Sequence, residues 1–286
     1  MKRRHILGAL FGSVFSLTMF TKSAHAVEPW LDRPLTLPSL HASADVGLGF
    51  GQHVDIAESA AARETKHSWG SGASMEAAVG VPILGEVGVR TALRFGDGGK
   101  SEPAADRFGR LFDKQTFNGR ATGHDTFANP EIFLRGTLVD VNIVAVGLET
   151  RFSLPAADDT KFGWAPGIPV RVRIPNLARL DTGIYVPFVF DDKTIYSFDI
   201  PAHLWFQSDQ LFFGPLVGFR FNHFPVGNDQ SENEGTLRIG GGVGYTVLSF
   251  IDLKAQAYFD RVNKIPEGSN LGNMLGFGLG AGINVP

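Results

Sequence analysis

Four charges stand in two closely spaced pairs, Glu149 with Arg151 and Arg171 with Arg173. A spacing of two puts both members of a pair on one face of an extended strand. Charges so placed can select ions and polar solutes if they ring an aqueous passage. They can equally pair off and fill a narrow interior, because buried charge demands a partner. Both readings stay open at the level of sequence. Other residues offer weaker chemistry. Ser197 and His203 share a strand parity, but at about 3.3 Å per residue they lie roughly 20 Å apart, too far for a nucleophile and its base. His53 and His67 bracket one loop with Asp55 between them, yet their strand parities differ, so solvated loop histidines and no metal are expected. The chain has no cysteine, which removes disulfides, thiolate metal sites and a lipid-modified N-terminal Cys. Neither catalysis nor a cofactor is expected.

The elements that must position these charges read as strands. From Val144 to Leu154 the even positions are Val144, Val146, Leu148, Thr150, Phe152 and Leu154, and the odd ones are Ala145, Gly147, Glu149, Arg151 and Ser153. One face is hydrocarbon and the other small or charged. The same split recurs in segments beginning near Ala44, Ala73, Val87, Ile132, Ile168, Leu180, Tyr196, Leu211, Leu237, Ile251 and Leu275, which makes twelve. Segments of about ten to twelve residues suit a tilted bilayer crossing, whereas strands of soluble sandwiches run about five or six.

Connections alternate between tight ones, near Asp140, 175–179, 207–210 and 248–250, and long ones at 54–66, 96–126, 155–163, 223–234 and 263–272. The short turn at 192–194 is the exception. Phe50, Phe95, Phe152, Phe190, Phe221 and Phe259 all close an apolar face at the long-loop end, as an aromatic girdle would. The fold class expected is therefore all-β, a closed antiparallel transmembrane β-barrel of twelve strands. Pro169, Pro187, Pro201 and Pro215 fall inside the segments and are expected to mark bulges.

The N-terminus shows Lys2, Arg3 and Arg4, an apolar run from Ile6 to Phe20 and the pattern Ala24-His25-Ala26. This predicts a signal peptide over 1–26, a Pro-rich leader over 27–39 and the barrel over 40–286. The leader is either a periplasmic tail or a small plug. Of 26 Lys and Arg, four lie in the signal peptide (Lys2, Arg3, Arg4 and Lys22), so the mature chain carries 22 − 29 = −7. That balance disfavours nucleic acid as a partner.

The run Asn129-Pro130-Glu131-Ile132-Phe133-Leu134-Arg135 and the strand ending Glu149-Thr150-Arg151-Phe152-Ser153-Leu154-Pro155 resemble strands of porin-like proteins grouped with phenol-degradation pathways as outer-membrane transporters. Over nearly all of its mature length the chain is similar to Gram-negative outer-membrane β-barrel proteins. The resemblance implies transport and names no substrate.

With the apolar face toward lipid, the alternate face lines a lumen. A turn centred near Ser249 places Arg238 opposite Asp260, and a turn centred near Asp140 places Glu131 opposite Glu149, a repulsive pair unless Arg151 or Arg171 sits between them. Glu149, Arg151, Arg171 and Arg173 form the leading candidate constriction, with Glu131, Arg90, Arg238 and Asp260 as further lumen charges. Gly240, Gly242 and Gly244, with Gly276, Gly278, Gly280 and Gly282, leave open space or permit curvature. The basic, Phe-containing loop 96–126 folds inward as a constriction, meets lipopolysaccharide phosphate, or is an external loop. The expectation is an outer-membrane barrel passing small solutes, with membrane lipid and lipopolysaccharide as partners. A non-conducting structural or adhesive barrel and an outer-membrane hydrolase are the alternatives.

Overall fold

In the computed structural model the described residues are 29–56, 65–95, 127–156, 161–175, 177–190, 194–226, 230–265 and 269–286. The expected signal peptide and the 96–126 loop lie outside them. Thirteen strands form one antiparallel sheet: β1 (Ala42–Ile56), β2 (Thr65–Val81), β3 (Gly85–Phe95), β4 (Glu131–Asp140), β5 (Val144–Ser153), β6 (Phe162–Ile174), β7 (Ala178–Tyr185), β8 (Phe188–Phe190), β9 (Ile195–Ser208), β10 (Leu211–Val226), β11 (Gln230–Leu248), β12 (Ile251–Phe259) and β13 (Leu275–Val285). Strands adjacent in sequence pair except β7 with β8, which both lie between β6 and β9, and β13 pairs with β1, so the sheet closes. Strands β7 and β8 hold one register against β6 and one against β9. They are two pieces of one stave, and the barrel has twelve.

Exposure is inverted relative to a water-soluble protein. Leu148, Leu253 and Phe277 are 51%, 49% and 41% exposed, whereas Glu149, Arg171 and Asp252 are 3%, 0% and 0%. A soluble sandwich buries its apolar face, so this inversion decides for a barrel whose hydrocarbon face meets lipid. Closure also answers the edge problem, since each stave's backbone donors and acceptors find a neighbour.

Two expectations about local geometry fail. The prolines do not mark bulges: the register is constant through Pro169, Pro201 and Pro215. Proline there removes a ladder donor without inserting a residue. Pro187 instead ends pairing and splits the stave between Tyr185 and Phe188. The register shifts among the described residues lie between Thr137 and Val139 and between Thr246 and Leu248, near the short turns. The second error is the β4–β5 turn. It occupies 141–143, so Arg135 faces Glu149 and Glu131 faces Ser153. The expected Glu131–Glu149 repulsion does not exist.

Candidate functional site

The leader enters the barrel. A short 3-10 turn (Trp30–Asp32) leads into an extended run, and across the two Leu31, Arg33, Leu35 and Leu37 are buried while Asp32 and Pro38 are exposed. Trp30 stacks on Phe212 of β10 at 4.2 Å between ring centroids and meets Trp205 of β9 edge-on at 5.7 Å. Arg33 is paired with Asp252 of β12. Leu37 buries against Ala78 of β2 and Phe133 of β4. These partners lie on opposite walls, so the segment crosses the lumen. It does so in the half next to the short turns.

Wall side chains satisfy the leader's backbone. Arg171 Nη1 donates to the carbonyls of Arg33 and Pro34 at 2.5 and 2.8 Å, and Arg179 donates to that of Trp30. The Leu37 amide donates to Glu86 at 2.9 Å and the Leu31 amide to Gln207 at 3.0 Å. Pro29, Pro34 and Pro38 carry no amide hydrogen, so a segment far from any ladder has fewer donors to satisfy. The sequence offered a tail or a plug, and the leader lies inside the barrel rather than outside it.

The predicted lumen charges are all inside, but they do not form one ring. Arg90 bridges Glu76 at 2.6 Å and Glu131 at 3.3 Å. Arg135 bridges Glu149 at 2.6 Å and Glu86 at 3.0 Å, and Arg151 also binds Glu149. Arg171 pairs with Asp181 at 2.6 Å, and Arg179 shares that carboxylate at 2.9 Å. Arg173 faces Asp140 at 2.6 Å near the short-turn rim, apart from the other three members of the proposed constriction. Arg238 binds Asp260 at 2.5 Å, as the turn at Ser249 implies. Arg220 binds Asp199 at 2.6 Å beside them.

Sequence reasoning missed Trp30, Arg33, Arg179 and Trp205. Arg179 looked like a turn residue, although its two-residue spacing from Asp181 repeats the Glu149–Arg151 signal. The glycines have a third use. Side chains added at Gly167 or Gly244 would collide with the rings of Tyr185 and Phe212, which lie flat across the neighbouring strand. These glycines are sockets for inward aromatics. Ser197 lies opposite Asn222, and His203 stacks on Trp205 with centroids 3.5 Å apart. His53 faces Ser68 and His67 faces Val54 in backbone register. Among the described residues no cluster of metal-ligating side chains occurs.

The architecture is similar to that of solved outer-membrane channels. An outer-membrane channel from Pseudomonas putida F1 superposes with a TM-score of 0.58 at 8% identity, covering 87% of this chain and 96% of that one. The NanC porin gives 0.49 at 6% identity over 85% and 99%, and the KdgM porin 0.45 at 5% over 84% and 98%. No protein-family model and no curated protein matches the sequence. At such identities the likeness is one of fold, the closed antiparallel β-barrel of outer-membrane proteins.

Proposed function

We propose that this protein is a passive channel for small solutes in the outer membrane of a Gram-negative bacterium, narrowed on its periplasmic side by its own leader. The observation that carries this reading is the arrangement of the lumen. Its wall carries Glu, Asp, Arg and Lys side chains interspersed with aromatics such as Phe133, Trp205, Phe212 and Tyr258, while the segment that crosses it is a stretch of chain preceding β1. A barrel meant only to be sealed needs no detachable filler, since its own side chains can meet across the axis. The leader's contacts with the wall are wall side chains bonded to its backbone, the Arg33–Asp252 ion pair, and the ring and apolar contacts of Trp30 and Leu37, none of which is a ladder bond of the sheet. Membrane lipid and lipopolysaccharide are the partners such a barrel meets, and no catalytic step is part of the reading.

The test is planar-bilayer recording on the intact protein and on a variant lacking residues 29–38. Intact protein is expected to give small discrete conductance steps and the shortened one larger steps. Silence from both, with both resisting unheated detergent on a gel as folded barrels do, overturns the channel. That result would favour the non-conducting barrel, which the complete pairing of Glu149, Arg135 and Glu86 favours for its own part.

A further inference from the structure

The short-turn rim is unequal around the barrel. Leu40, where the leader joins β1, and Ile83, in the β2–β3 turn, have φ of 68° and 71°. A leucine is rare in this left-handed region, and a β-branched isoleucine is an outlier there. The strain orients side chains that are 83% and 105% exposed. Their neighbours around the rim continue the pattern: Leu84, Val141, Ile143 and Leu177 are 64%, 56%, 56% and 58% exposed. On the far side, the β9–β10 turn is Asp209-Gln210, and Asp209 takes φ 53°, a conformation that a short polar side chain tolerates. The β9–β10 turn thus carries residues suited to water, while the β11–β12 turn beside it mixes Ser249 with Phe250, which is 40% exposed. The arc from β2 to β7 carries turn residues suited to hydrocarbon.

We propose that this arc is seated in the boundary between headgroups and acyl chains of the periplasmic phospholipid leaflet. The occupant follows from continuity with the lipid-facing band. Directly above the rim, the outward residues Val79, Val139 and Ile174 are 49%, 49% and 50% exposed. No polar collar separates them from the turns below. Val139 follows the register shift in β4, which adds a residue and extends the apolar face toward the turn. A water-exposed apolar patch of this kind is uncommon on soluble surfaces, whereas an interfacial one is favourable in proportion to the area it buries. The barrel accordingly sits deeper on the β2–β7 side, which is also the side through which Arg171 and Glu86 hold the leader.

The inference rests on the membrane placement proposed above, so its test carries an internal control. The chain lacks cysteine, so each single-cysteine variant can carry one environment-sensitive fluorophore. Labels at Ile83→Cys, Ile143→Cys and Leu177→Cys are compared with Asp209→Cys and with Leu148→Cys, a mid-barrel outward position. The intact protein is reconstituted in phosphatidylcholine–phosphatidylglycerol vesicles. Rim labels at 83, 143 and 177 are expected to lose fluorescence to lipids spin-labelled near the headgroup and to resist iodide. The label at 209 should show the reverse. Quenching of the three rim labels by iodide overturns the inference, as does protection from both quenchers, which would point to a second copy or another protein. If the label at 148 also escapes lipid quenching, the membrane placement itself has failed.

Discussion

At the short-turn end of the lumen, Arg171 and Arg179 reach past their shared carboxylate, Asp181, to carbonyls of the leader. Toward the long-loop end, Arg220 and Arg238 turn to wall carboxylates, Asp199 and Asp260. The chemistry is the same and the environment is not. The side chains of Arg171 and Asp181 are 0% and 3% exposed, against 17% and 14% for Arg220 and Asp199, and 16% and 24% for Arg238 and Asp260. Desolvation makes the inner group depend on complete pairing, while water shares the work in the outer group. The inner arginines thus join the leader to the wall, whereas the outer ones join wall to wall.

Arg171→Ala should sharpen this contrast most. It leaves Asp181 with Arg179 alone and strips two carbonyls of their donor, and breaking a buried pair of this kind costs about 3–5 kcal/mol. Urea unfolding of the barrel in vesicles, followed by gel mobility, should show that loss. Limited proteolysis should show the leader becoming cleavable first. Unchanged stability would mean that the leader is held by its apolar residues and that the guanidinium is incidental.

The twelve staves were legible because strand geometry fixes side-chain parity, so Leu148 and Glu149 must part to opposite faces whatever the rest of the chain does. Register was legible only where the turn was. Arg238 and Asp260 met as expected, but the β4–β5 turn lies at 141–143 rather than at Asp140, and a shift near Leu138 adds one residue more. No local pattern announces such a shift. The leader was half legible. Leu31, Arg33, Leu35 and Leu37 repeat the period of two, yet Asp252, the partner of Arg33, is 219 residues away along the chain. Its prolines left a tail and a plug equally open, and their missing donors suit a segment inside a lumen. Candidate site residues were found by parity, and their grouping was missed because grouping depends on tilt and stagger around the closed sheet.

A glycine pair tests the contrast at intermediate size. A β-carbon at Gly244 would strike the Phe212 ring, on which Trp30 stacks, whereas at Gly218 it would stand 3.6 Å from the Cβ of Arg238, an ordinary contact. Gly244→Val should therefore cost about 1–3 kcal/mol, the usual effect of overpacking, and loosen the leader. Gly218→Val should be close to neutral. Equal effects in the same urea assay would remove the distinction between a wall shaped around the leader and a wall shaped for solvent.

The smallest effect belongs to the outer pair. A double-mutant cycle on Arg238→Ala and Asp260→Ala should return a coupling of about 0.5–1 kcal/mol, the range of partly solvated ion pairs, and it should shrink as salt is raised. Arg238 also lies over the Tyr258 ring at 4.7 Å, so part of the single-mutant loss will not appear in the coupling. The informative reading is reversal potential in a salt gradient on the protein lacking residues 29–38. Arg238→Ala leaves the Asp260 carboxylate in the lumen without its guanidinium and should move selectivity toward cations, while Asp260→Ala should move it toward anions. Opposite shifts require that both groups face the permeation path. Shifts of the same sign, or a salt-independent coupling as large as that of a buried pair, would mean that the outer pair is as sealed as the inner one and that the two halves of the lumen do not differ.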